Sequence, residues 1–97
     1  MAVAIDTSKG YAYVTGYYSD SLAIIDVGTD PYNLSFVGSY ISSTYIDYAY
    51  GVAIDTSKGY AYVTGRDSDS LAIIDVGTNS SSPSLVGSYS SLSLIHI

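Results

Sequence analysis

The sequence predicts an all-β fold of two four-stranded antiparallel sheets, and three observations carry that prediction. A block of 27 residues, Val3 to Thr29, recurs at Val52 to Thr78 with an offset of 49 residues and 25 identities. The composition is that of strands and turns: 12 Tyr, 18 Ser and 7 Thr stand beside no Glu and no Gln, so several of the best helix formers are missing. Within each copy, short apolar runs alternate with breaks rich in Gly, Ser and Asp, which is the punctuation of hairpins.

The first strand of each copy is Val3–Asp6 and Val52–Asp55. The stretch Thr-Ser-Lys-Gly follows as a tight turn, with Gly10 and Gly59 supplying the positive φ that closes it. The second strand, Tyr11–Thr15 and Tyr60–Thr64, alternates Tyr and Thr with Ala and Val. A polar loop leads to the third, Leu22–Val27 and Leu71–Val76, whose Leu-Ala-Ile-Ile-Asp-Val is apolar at both parities. Such a strand is covered on both faces. A Ser/Asn/Pro loop then leads to the fourth strand, Leu34–Tyr40 and Leu85–Tyr89.

A four-stranded sheet with two apolar faces cannot bury both by itself. Stacking such sheets around an axis solves the problem, because each covers its neighbour, and a unit of about 40–50 residues has the size of one β-propeller blade. Rungs of a parallel β-helix are shorter, at roughly 20–30 residues, and a two-sheet sandwich gives no reason for near-identical copies. The chain therefore divides into a first blade, residues 1–40; a connection, 41–49; a second blade, 50–89; and a tail outside the repeat, 90–97.

These motifs carry a family resemblance. Tyr-Ala-Tyr-Val-Thr-Gly, at Tyr11–Gly16 and Tyr60–Gly65, resembles the YVTN-type propeller repeat of prokaryotic surface proteins. Ser-Leu-Ala-Ile-Ile-Asp-Val, followed by a loop and a Val-Gly-Ser-Tyr strand, is similar to the LVIVD repeat. The resemblance implies a β-propeller, an extracellular or cell-surface location, and no assigned catalytic activity. The repeat of 49 residues is longer than is usual for the family, and the extra residues fall around Ile41 to Ala49. A propeller needs about four blades to close. The first expectation is thus a piece of a longer propeller, and the alternative is a ring of several copies. Met1 falls where the repeat has Tyr50, and Ser91–Ile97 breaks the repeat and resembles translated sequencing-adapter sequence.

Composition excludes several functions. Three basic residues against nine Asp, a net charge of -6, leave no positive stripe for nucleic acid. The absence of cysteine removes disulfides, thiol catalysis and thiolate-bound zinc. No apolar run approaches the roughly 20 residues of a membrane-spanning helix, and no Lys/Arg-led apolar segment is visible at the start of this sequence to read as a signal peptide. Eighteen serines have no credible base beside them, since the one histidine, His96, lies in the tail. The expectation is a non-catalytic repeat module without cofactor or metal. The alternative reading is part of a propeller enzyme whose catalytic groups lie on further blades.

Candidate binding residues cluster on one rim. In an up-and-down blade the loop between strands two and three shares a rim with the connection to the next blade, and loops carry variation while sheets stay fixed. The only differences inside the repeated block fall there: Tyr17 and Tyr18 in one copy, Arg66 and Asp67 in the other. Tyr17, Tyr18, Tyr45 and Tyr48 form a candidate aromatic surface for protein or glycan, with Arg66, Asp67 and Asp69 as the second copy's counterpart. Asp20 and Asp67-Ser68-Asp69 offer oxygens to calcium, as does the start of Asp-Thr-Ser-Lys-Gly, but the remaining ligands are missing at usable spacing and turn capping explains them better. Asp26 and Asp75 are expected to bond loop amides. Tyr11, Tyr13, Tyr60 and Tyr62 are expected to pack between blades. Asn33 and Asn79 begin glycosylation sequons in equivalent loops.

Overall fold

Eight strands follow one another: β1 (Val3–Asp6), β2 (Tyr11–Gly16), β3 (Ser21–Asp26), β4 (Ser35–Ile41), β5 (Ala49–Asp55), β6 (Tyr60–Gly65), β7 (Ser70–Asp75) and β8 (Ser84–Ser90). This is a computed structural model, which describes residues 2–16, 18–28, 30, 32–65 and 70–90. The strands make two antiparallel meanders, β1-β2-β3-β4 and β5-β6-β7-β8. The all-β class and the 49-residue spacing of equivalent strands are as the repeat predicts. Strand pairing reaches into both ends of the connection, because β4 runs to Ile41 and β5 begins at Ala49, with a register shift between Ala49 and Gly51.

The hairpin turns form for local reasons. The Asp6 carboxylate accepts the N–H of Ser8 at 3.0 Å and the Ser8 hydroxyl at 2.6 Å. Asp55 and Ser57 repeat this at 3.1 and 2.7 Å. Gly10 and Gly59 close the turns at φ of 71° and 72°. The Gly10 carbonyl then accepts the N–H groups of Val27 and Gly28, and the Gly59 carbonyl those of Val76 and Gly77. The exit of the third strand is thereby tied to the first turn in both sheets. Both sheets also carry a register shift on the third-to-fourth strand pairing, at Ile24/Ile25 and Ile73/Ile74.

Register assigns each residue to a face. Tyr13 is opposite Ile24 and Thr15 opposite Leu22, which together make a tyrosine face. Val14 is opposite Ala23 and Ala12 opposite Ile25, which make an alanine face. The first sheet buries its tyrosine face, with Tyr13 at 1 % exposure and Leu22 and Ile24 wholly buried. The second sheet buries its alanine face, through Ala61, Val63, Ala72 and Ile74. These side chains form one apolar core together with Ile46 and Ala49 from the connection. β5 lies against β1 and β2, so the sheets stack face to opposite face, as successive propeller blades do. Full burial of one such Leu or Ile side chain contributes roughly 1.5–3 kcal/mol.

Candidate functional site

The β2–β3 turn and the connection between the sheets meet on one rim. The connection folds back on itself: the Ile46 N–H donates to the Ser42 carbonyl at 3.1 Å, and the Ser42 hydroxyl oxygen accepts the N–H groups of Thr44 and Tyr45. Ile46 anchors it by dropping into the core. Toward the second blade, the Ser70 hydroxyl donates to the Tyr45 carbonyl at 2.9 Å. Toward the first, the Ser42 N–H donates to the Asp20 carbonyl at 3.0 Å, and the Asp20 carboxylate accepts the Tyr48 N–H at 2.8 Å.

This scaffold brings Tyr18 and Tyr48 together. Their rings meet edge to face, with centroids 6.3 Å apart and planes at 87°, a favoured aromatic geometry. Tyr18 is 87 % exposed, Tyr45 is exposed and Tyr48 half-buried. Asp20 and Tyr48 are held at positive φ, 52° and 49°. Backbone strain of this kind is tolerated where surrounding contacts over-determine it. The sequence offered Asp20 only as a calcium oxygen; its role as the strut between turn and connection spans 28 residues and has no local signature. Tyr17, Arg66, Asp67 and Asp69, with Ser68 and His96, lie outside the described residues.

The other polar candidates resolve into turn chemistry. The Asp26 carboxylate accepts the Gly28 N–H at 3.1 Å, and Asp75 accepts those of Gly77 and Thr78 and the Thr78 hydroxyl. Asp6 and Asp55 turn their carboxylates onto their own loops, and the Ser8 and Ser57 hydroxyl bonds are the main reason both titrate below the ordinary carboxylate value. Asp75 is lowered chiefly by the Thr78 amide, then by its hydroxyl. Among the described residues no three His, Cys, Asp or Glu side chains converge as metal ligands, and no pocket is enclosed.

Asn33 and Asn79 sit on the opposite rim, both exposed in β3–β4-type loops. The Asn79 side-chain oxygen accepts the Ser81 N–H at 3.2 Å and the Ser81 hydroxyl at 2.7 Å. Tyr13 and Tyr11 pack in or against the core, edge to face at 6.5 Å. Tyr60 and Tyr62 occupy the same places on the second blade but are only half-buried. No helix among the described residues is long and apolar enough to cross a membrane.

Among curated proteins and among solved structures, nothing matches the chain. The family model of the LVIVD repeat matches twice, over residues 1–42 and 48–91, one match on each four-stranded sheet. The two matches end 49 residues apart, at 42 and 91, and each takes in one complete meander. The chain therefore belongs to the LVIVD repeat family and comprises two β-propeller-type repeat units.

Proposed function

We propose that the chain is a non-catalytic propeller module of a secreted or cell-surface protein, and that its tyrosine-bearing rim binds a protein or a glycan. The observation that carries this reading is the Tyr18–Tyr48 pair, presented to solvent by a braced loop. A ring face stacks on the C–H face of a sugar or on an apolar side chain, and its hydroxyl supplies a polar contact. The bonds from the Tyr48 and Ser42 N–H groups to Asp20 hold the loop in place before a ligand arrives, which lowers the ordering cost of binding. An open aromatic platform suits an extended partner better than a small molecule, which needs a concave site. The family is a structural repeat, and the serines have no base beside them in the sequence, which supports a module that binds without catalysis.

The test is a glycan array and a surface-protein array probed with the full chain and with Tyr18→Ser and Tyr48→Ser. Binding by the parent that both variants lose, with circular dichroism unchanged, is the expected result. Binding that survives both substitutions removes the rim as the site, and no binding on either array removes the reading.

A further inference from the structure

We propose that the two uncovered blade faces of this chain are covered by a second copy of the same chain, packed head to tail so that the blades close into a ring. The argument starts from twin residues in unlike surroundings. Tyr13, Leu22 and Ile24 are buried in the first blade, whereas their twins Tyr62, Leu71 and Ile73 are half-buried in the second. The reverse holds on the alanine face. Val52, Ile54 and Leu85 pack against the core, whereas their counterparts Val3, Ile5 and Phe36 are exposed at 61, 52 and 65 %.

Each open face is therefore the twin of a face already buried, and the partner of that buried face is the twin of the other open one. A second copy placed on the second blade presents nearly the same side chains that the second blade presents to the first. No other surface has its complementarity to these faces displayed inside the molecule itself. The open faces are also largely uncharged, so covering them strands few ionised groups.

Two glycines report the same relationship independently. A Cβ built on Gly38 meets the backbone of Ser80 and Ser81, lying 2.8 Å from the Ser81 carbonyl carbon. The turn of the second blade thus sits directly on β4 of the first. Gly87 is the twin of Gly38, and a Cβ there meets nothing within 4 Å. The turn that belongs on it exists at the other end of the chain. Asn33 N–H donates to the Asp30 carbonyl at 3.0 Å, as Ser82 does to Asn79 at 3.0 Å. The Tyr32 N–H bonds the Asp30 carboxylate as the Ser81 N–H bonds the Asn79 side chain. In the ring, the turn around Asp30–Asn33 of the second copy lies on Gly87.

A head-to-tail contact closes only if its rotation sums to a full turn. Since about four blades are the minimum, the expected assemblies are two, three or four chains. The experiment is gel filtration of the full chain with light scattering, and circular dichroism on the peak. One β-rich species of two, three or four chain masses is expected. Gly87→Leu blocks the open tyrosine face and Ile5→Arg the open alanine face, and each variant alone is expected to elute as a folded monomer. Mixed one to one, they retain one good face each and form a dimer that grows no further. Tyr89→Arg replaces Gly87→Leu should that variant lose its β signal. A folded parent monomer, an unfolded parent, or an open-ended spread of masses overturns the ring. A dimer that persists in either single variant overturns the head-to-tail geometry.

Discussion

The Asp20 carboxylate holds the backbone N–H of Tyr48 at 2.8 Å, and both residues sit at positive φ, 52° and 49°. Two strained residues, one on the β2–β3 turn and one in the connection, thus steady each other. Asp20 tolerates the left-handed region better than most side chains, while a bulky residue such as Tyr48 is uncommon there. The bond keeps the Tyr48 backbone in place, and the Tyr48 ring meets Tyr18.

Removing that acceptor exposes its worth. Asp20→Ala is expected to cost about 1–2 kcal/mol, the range for a lost hydrogen bond to a charged group at a partly exposed site. Asp20→Asn keeps an acceptor oxygen and is expected to cost about half as much. Urea midpoints of the three chains check the order. An Asp20→Ala midpoint equal to that of the parent would show that the strut carries no net energy.

The first-turn glycines are expected to be the least replaceable residues of the hairpins. Gly10 is at φ 71°, and a Cβ there would lie 2.8 Å from the Gly28 Cα, backbone that cannot swing aside. Strain at such φ costs about 1–3 kcal/mol before the clash is added. Gly10→Ala and Gly59→Ala should therefore lower thermal stability by several degrees or unfold the chain. Gly87→Ala meets open space within the single chain, so the monomer should stay within about 0.5 kcal/mol of the parent, whereas in a ring the same Cβ meets the turn of the next copy and weakens assembly.

Much of this fold was legible in the sequence because the repeat repeats its reasons. Asp6 and Asp55 cap the same turn, Gly10 and Gly59 close it, and both copies place strands at one spacing. What the sequence did not disclose is which face each copy buries. Tyr13 and Tyr62 lie in identical strings, yet one is sealed and the other half-open. That difference comes from place in the stack, which no local pattern encodes. The Asp20–Tyr48 strut was hidden for a related reason: it joins the repeated block to Ile41–Ala49, where the copies offer no second example to compare.

Another pair of twins separates a satisfied hydroxyl from an orphaned one. Thr15 Oγ1 accepts the Ala2 N–H at 2.8 Å, whereas Thr64 Oγ1 is buried with no partner among the described residues. Gly51 stands where Ala2 stands in the first copy, beside the register shift between Ala49 and Gly51 in β5. Thr15→Val is expected to cost about 1 kcal/mol, while Thr64→Val should be neutral or stabilising, because an unsatisfied buried hydroxyl is itself a cost. Paired thermal melts decide it, and equal losses at both sites would contradict the asymmetry.

Stability is expected to fall at both ends of the pH range. Asp6, Asp55 and Asp75 titrate below their ordinary value when folded, so the unfolded chain binds more protons in acid. Their contribution is present above the ordinary carboxylate value of about 3.9 and is lost as pH falls through the folded values. Burial is the main reason the Tyr13 hydroxyl is pushed up to about 12, with Asp6 and Tyr11 adding to it. Here the folded chain holds the proton longer. The contribution is intact below the unfolded value of about 10 and is lost as pH rises through the folded one. Urea midpoints should fall below about pH 4 and again above about pH 10. In Tyr13→Phe the alkaline fall should be smaller and the acid limb unchanged.

Ile24 and Ile73 test the stacking itself, since they are twins on the tyrosine face with and without a covering blade. Ile24 is wholly buried, so Ile24→Ala should cost about 2–5 kcal/mol. Ile73 is half-buried within the single chain and should cost about half that in a monomer. If a second copy covers the open face, Ile73 acquires the surroundings of Ile24 and the two losses converge. The Ile73→Ala loss then depends on protein concentration, because subunit binding adds to stability by mass action. Urea unfolding of both variants at several protein concentrations separates the cases. A small, concentration-independent loss at Ile73 would mean that this face stays bare in solution.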